Sequence, residues 1–187
     1  MSERTFTFDW TTKYERDWHR WLDYLKGKPG IKALEVGCHE GRSSCWFCEN
    51  ILTGADCRLD CIDLWGSQEA GYIGVESRFD ANVAGLSVRK LKGDSVVELA
   101  RLLTAGQRYV FVYVDAGHHA ESCLGDLVLG WKMLCKGGIL IADDYRLTGR
   151  NLRLPPQVAI DGWLPTVMDS ATGFEKTANQ VAVWKRL

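Results

Sequence analysis

No stretch of this chain is apolar for long enough to cross a bilayer, which takes roughly 20 residues. The opening Met1-Ser2-Glu3-Arg4-Thr5 lacks the basic-then-apolar pattern of a secretory leader, so the expected location is the cytoplasm. An excess of charge is also missing. The formal net charge is −1, which gives no electrostatic footprint for nucleic acid or for an anionic membrane. There is no repeat, no low-complexity tract and no internal linker. One domain is therefore expected over 1–187. The cysteine count is seven, odd and without a secretory context, so reduced thiols are expected rather than a disulfide framework. Cys45-x-x-Cys48 and Cys57-x-x-x-Cys61 have spacing to test against zinc, but buried thiols packing as small apolar groups fit their surroundings better.

What is present is organised around one stretch. Ile31 to Val36 is an apolar, strand-forming run; Gly37 and Gly41 bracket a turn; Ser43 and Ser44 stand where a helix can begin. A strand, a glycine turn and a helix N-terminus together make a nucleotide-cofactor site. The spacing is acidic-x-Gly-x-x-x-Gly, with Glu35 as the acid. That is not the Gly-x-Gly-x-x-Gly dinucleotide fingerprint, which disfavours an NAD-dependent oxidoreductase, and no lysine is present for a phosphate loop. The pattern resembles motif I of the class I S-adenosylmethionine (SAM) methyltransferases.

The remaining elements follow in order. Tyr14, Trp18, Trp21, Leu22 and Leu25 recur at helical spacing over 12–26 and end at Gly27, Pro29 and Gly30. This helix, within an N-terminal cover over 1–30, packs on a sheet and can also close a ligand cleft. A helix is predicted over 42–53 and a strand over 58–63, ending at Asp63. An acid at that place can accept two hydrogen bonds from a ribose diol, or cap a turn. Leu64 and Trp65 can lie against an adenine face. A loop over 66–75, a helix near 76–84 and a strand near 86–91 lead to Gly93-Asp94-Ser95, a polar pair placed either to read an adenine edge or to cap the next helix. Tyr109 to Val114 reads as a buried parallel strand ending at Asp115. A helix from Ala120 to Cys135, with Gly137-Gly138 as its breakers, precedes a strand from Ile139 to Ala142 that ends at Asp143-Asp144. After a loop over 146–156 and a helix near 157–169, Phe174 to Lys185 reads as two short strands around Ala178-Asn179. Alternating strands and helices with a terminal hairpin give a doubly wound α/β sheet, whose ligands bind beyond the carboxyl ends of the strands. Glu35, Asp63, Asp94, Asp115, Asp143 and Asp144 are all expected at those ends.

Tyr113-Val114-Asp115-Ala116-Gly117-His118, then Asp126, then Leu134 to Tyr145, resembles methyltransferase family 24, related to the macrocin-type sugar O-methyltransferases and more distantly to the catechol O-methyltransferases. The resemblance implies a Rossmann-like seven-stranded sheet in the order 3-2-1-4-5-7-6 with strand seven antiparallel. It implies SAM held by Glu35, Gly37, His39, Gly41 and Ser43 at the methionine part, Asp63 at the ribose, and Leu64, Trp65, Asp94 and Ser95 around the adenine, with Asp115 beside it. It implies a divalent cation, usually magnesium, on Asp115, Asp143 and Asp144, and three converging carboxylates would otherwise repel one another. The pattern departs at the base. Gly117 and His118 stand where relatives carry an acid or a lysine, and His118 can take a hydroxyl proton. The expected activity is SAM-dependent O-methylation of a small hydroxylated acceptor, with Asp115 and His118 as catalytic residues. The alternative is a SAM-binding module or partner subunit without catalysis. Segments 66–78 and 146–160 are expected to line the acceptor, and eight tryptophans leave room for a homodimer.

Overall fold

Tyr109–Val114 is buried along almost its whole length and forms the middle strand of the sheet. The computed structural model describes residues 4–66, 73–149 and 154–187; parts of the loops read at 66–75 and 146–156 lie outside them. The strands are β1 (Lys32–Val36), β2 (Arg58–Asp63), β3 (Val88–Lys92), β4 (Tyr109–Val114), β5 (Leu134–Ala142), β6 (Ala171–Lys176) and β7 (Val181–Lys185). They pair in the order β3-β2-β1-β4-β5-β7-β6, the order expected. The first five run parallel, and β7 is antiparallel to both β5 and β6.

Side chains alternate along each strand, so each face of the sheet has its own core. On one face Leu34, Val36, Val112, Val114 and Leu140 pack with Leu99, Leu127 and Trp163. These come from helices α4 (Ser95–Thr104), α5 (Ala120–Met133) and α6 (Pro156–Val167). On the other face Ala33, Phe111, Tyr113 and Ile141 pack with Trp18, Phe47 and Phe79. Those belong to α1 (Glu15–Leu22), α2 (Arg42–Asn50) and α3 (Val75–Asn82). The whole aromatic stripe read at 12–26 is buried here, in α1 and the single 3₁₀ turns that flank it. Five of the cysteines, Cys38, Cys45, Cys57, Cys61 and Cys123, are buried as free thiols.

One boundary differs from the sequence reading. Gly137 and Gly138 do not follow a helix; α5 stops at Met133 and both glycines lie inside β5. The register to β4 jumps there, from Tyr109↔Leu134 to Phe111↔Ile139. Gly137 has φ 73°, and a Cβ on Gly138 would sit 2.6 Å from the Val110 carbonyl oxygen. The pair forms a bulge that only glycine fits.

Candidate active site

The carboxyl ends of the parallel strands continue as one hydrogen-bonded edge. Gly37 N–H donates to Ile62 O, Asp115 N–H to Val36 O and Asp143 N–H to Val114 O, at 2.9, 2.8 and 2.9 Å. Asp63, the glycine turn, Asp115 and Asp143 therefore lie side by side.

The turn after β1 is tightly built. Gly37, His39 and Gly41 all have left-handed backbone, with φ 87°, 46° and 78°. The glycines answer to the protein itself. A Cβ on Gly37 would stand 1.9 Å from the Asp115 carbonyl oxygen, and one on Gly41 would meet Phe79 of α3 at 2.9 Å. Glu35 also turns inward. It is fully buried, and both Ser43 and Ser44 donate their hydroxyls to its carboxyl. Burial pushes that carboxyl up to about 7. Glu35 and Ser43 are thus satisfied by each other and tie α2 to β1, rather than presenting free groups at the surface of the turn.

Asp63 organises the other side. Its Oδ2 accepts the Cys38 and His39 N–H groups, both at 2.9 Å, and its Oδ1 accepts the Trp65 N–H at 2.9 Å. A carboxylate has about four acceptor positions, and three described backbone N–H groups occupy three of them. Trp65 is anchored by the protein itself. Its indole N–H donates to the His39 carbonyl at 2.9 Å, and its ring packs on Phe79 at 4.5 Å, under Lys90. Leu64 is the exposed neighbour. Asp94 caps α4 through the Val97 N–H at 3.1 Å, and Ser95 opens that helix. Gly93 N–H donates to Asp63 O, which joins this loop to the end of β2.

The acids at the ends of β4 and β5 divide into two groups. Consecutive side chains on a strand point to opposite faces, so Asp143 and Asp144 could share a site only if the backbone turned. It turns at Asp144, where φ is 61°, a conformation Asp tolerates. Asp144 then meets His118, whose Nε2 is 3.1 Å from its carboxylate. Ligand atoms of Asp115, His118 and Asp144 all lie within 4.8 Å of one another. Asp143 is buried behind them. Its Oδ1 accepts the Asp144 N–H at 2.7 Å, and its Oδ2 accepts the Tyr113 hydroxyl and, at 2.9 Å, the Gln180 amide. The trio expected from the sequence is therefore drawn with Asp143 turned inward and His118 facing the other two. Tyr113 links the groups, with its hydroxyl also 3.5 Å from Asp115.

Burial, reinforced by Asp143 and Asp144, pushes the Asp115 carboxyl well above its ordinary range. The hydrogen bond to Asp144 raises the His118 imidazole. Among the described residues no lysine or arginine forms an ion pair with any of the three aspartates. Such a donor set, hard oxygens with unbalanced charge, fits a divalent cation.

Residues 34–145 match family 24 of the methyltransferase domains. The chain belongs to that family. No curated protein matches it by sequence. Three solved structures share the fold of this methyltransferase domain. MycE from the mycinamycin biosynthetic pathway, in complex with Mg and S-adenosylhomocysteine (SAH), is 16% identical with a TM-score of 0.66, over 96% of this chain and 51% of that one. The O-methyltransferase TomG of Streptomyces achromogenes, in complex with SAM, is 15% identical with a TM-score of 0.74, over 96% and 82%. An O-methyltransferase of Bacillus cereus, in complex with SAH, is 16% identical with a TM-score of 0.68, over 96% and 84%. The domain thus spans about half the length of MycE and more than four fifths of the other two.

Three contributors to the edge carry no signal in a strand-end reading. Gln180 immediately precedes β7, which is antiparallel, so the beginning of that strand and not its end meets the site. Tyr113 lies within β4, and Glu40 is buried in the glycine turn. Only the strand direction could have exposed the first.

Proposed function

We propose that this domain is a SAM-dependent O-methyltransferase acting on a small hydroxylated acceptor, with a divalent cation, magnesium by preference, beside the acceptor oxygen. The observation that carries the reading is the His118–Asp144 pair, which meets Asp115 on the same sheet edge as the glycine turn and Asp63. Asp63 offers its free acceptor position to a ribose hydroxyl. Leu64 and the Gly93-Asp94-Ser95 loop flank the adenine, and the backbone of Gly37, His39 and Gly41 borders the methionine part.

Bound SAM supplies an electrophilic methyl carbon. A bound divalent ion supplies Lewis acidity, lowering the pKa of a nearby hydroxyl, and Asp115, Asp143 and Asp144 are the residues that would hold it. The chain's own part is alignment and proton removal. His118 Nε2 accepts the acceptor's proton, and Asp144 orients the ring and stabilises the imidazolium that results. In-line geometry, with acceptor oxygen, methyl carbon and sulfur held together, does the rest.

Turnover of labelled SAM over a panel of hydroxylated acceptors tests this. His118→Gln is expected to lower kcat about 10²–10⁴-fold, the usual contribution of a general base, while SAH still binds. EDTA is expected to abolish turnover, and magnesium to restore it. SAH binding with no turnover across a broad panel would instead favour a SAM-binding module or partner subunit. A localisation in the cytoplasm and a homodimeric state belong to this proposal as well; no helix among the described residues is long and apolar enough to cross a membrane.

A further inference from the structure

Gln180 is fully buried at the start of β7, three strands away from the glycine turn, yet its amide ends at the acid cluster. The sheet explains why. Along β5 and β7 the register runs Ile141↔Ala182 and Ala142↔Val181, so its next step sets Asp143 opposite Gln180. Along β4 and β5 it runs Tyr113↔Ile141 and Val114↔Ala142, so its next step sets Asp115 beside Asp143. Asp143 is therefore flanked by Asp115 on one side and Gln180 on the other.

The contacts around Gln180 fix its amide in one orientation. Trp18 of α1 donates its indole N–H to Gln180 Oε1 at 3.0 Å. An indole nitrogen can only donate, so that end of the amide must be oxygen. The NH₂ end must then face Asp143 Oδ2 at 2.9 Å and the Tyr113 hydroxyl at 3.2 Å. A flipped amide would set its NH₂ against the indole N–H and its oxygen against a carboxylate. The N-terminal cover helix thus determines which group Asp143 meets.

We propose that Gln180, oriented by Trp18, is a positioning residue that sets the Asp143 carboxylate for a divalent cation. The inference rests on the reading that Asp115, Asp143 and Asp144 hold such an ion. Gln180 touches neither substrate nor ion; it acts through Asp143 and Tyr113. Outer hydrogen-bond partners of metal-binding carboxylates set their orientation, and losing one costs about 10–100-fold in affinity.

Manganese is the probe, titrated into the full chain and followed by electron paramagnetic resonance, with SAH affinity and Tm measured in parallel. Gln180→Leu keeps the volume and removes all three amide contacts. It is expected to weaken manganese binding about 10–100-fold and to leave SAH affinity within about twofold, since Asp63 and the glycine turn are untouched. Trp18→Phe keeps the ring and lets the amide flip, and is expected to shift manganese affinity in the same direction by a smaller factor. Should Gln180→Leu not fold, Trp18→Phe decides the matter alone. Unchanged manganese affinity in the folded variants overturns the proposal, and so does an equal loss of manganese and SAH affinity, which marks general loosening. A wild-type chain that binds no manganese overturns the cation reading itself, a separate result.

Discussion

Glu35 is a carboxyl group with no room for its charge. It is fully buried, and its partners are two serine hydroxyls and the Cys61 thiol, the last at 3.7 Å. Burial holds it at about 7, against about 4.3 for an exposed Glu. Between those two values the folded chain keeps a proton that the unfolded chain has released. Folding stability must then fall as pH rises from roughly 4.5 to 7, and above that the full cost is present. The span corresponds to about 3 kcal/mol in order of magnitude. Glu35→Gln removes the titration, so its denaturant-unfolding free energy should lose less over that interval than the wild type does. Parallel pH profiles for the two chains would refute the assignment. The place of Glu35 before Gly37 is legible in the sequence; that the pleat sends its side chain beneath α2, onto Ser43 and Ser44, is not.

At the scale of elements, residues 4–12 form a strap over the glycine turn. Thr7 gives both its N–H and its hydroxyl to the buried Glu40 carboxylate, each at 2.6 Å, and Arg78 of α3 pairs with the same group. Asn82 of α3 holds Thr5 at its N–H and its carbonyl, both at 2.9 Å, and Asp9 pairs with Arg42 at 2.8 Å. Phe8 stacks on Trp10 at 4.8 Å, and Trp10 lies 5.0 Å from the His39 ring. Glu40 is the common anchor. Glu40→Ala should cost about 2–4 kcal/mol, because it leaves the Thr7 donors without their acceptor and Arg78 without its partner. Amide exchange at Thr5 and Thr7 should rise at least tenfold while the β4 amides stay protected; unchanged exchange at Thr7 would count against the anchor. None of this was legible in the sequence, because residues 4–12 have no periodicity to read. The elements that were legible share one physical trait. β1 and β4 are short, largely apolar runs with a glycine or an acid after them, and such runs have few alternatives to a buried parallel strand. The bulge at Gly137-Gly138 was not legible, since paired glycines mark a helix end and a strand irregularity equally well. Gln180 was missed although the expected order, with strand seven antiparallel beside strand five, already brings the start of that strand to the acid edge; what the order does not say is that its amide turns onto Asp143.

Over the whole molecule, the sheet brings three aspartates from two adjacent strands to one edge, and among the described residues His118 is the one basic side chain that pairs with any of them. Folding works against that repulsion, so anything that binds the trio in the native chain alone must stabilise the whole fold. The linkage is RT ln(1 + [L]/Kd), about 2.7 kcal/mol when the free ion is at a hundred times its Kd. For a chain of 187 residues each kcal/mol moves Tm by about 2–4 °C. Saturating magnesium should thus raise Tm by about 5–10 °C, and EDTA should reverse the gain. Asp115→Asn relieves one charge and removes one ligand at once. Its Tm without ion should equal or exceed that of the wild type, while its response to magnesium should largely vanish. Those opposite signs separate a cation site from an acidic edge that ionic strength merely screens, because sodium chloride at matched ionic strength would lift both chains without distinguishing them. A wild-type Tm that responds to magnesium no more than to sodium would leave the aspartates to the protein's own partners, His118, Tyr113 and Gln180 among them.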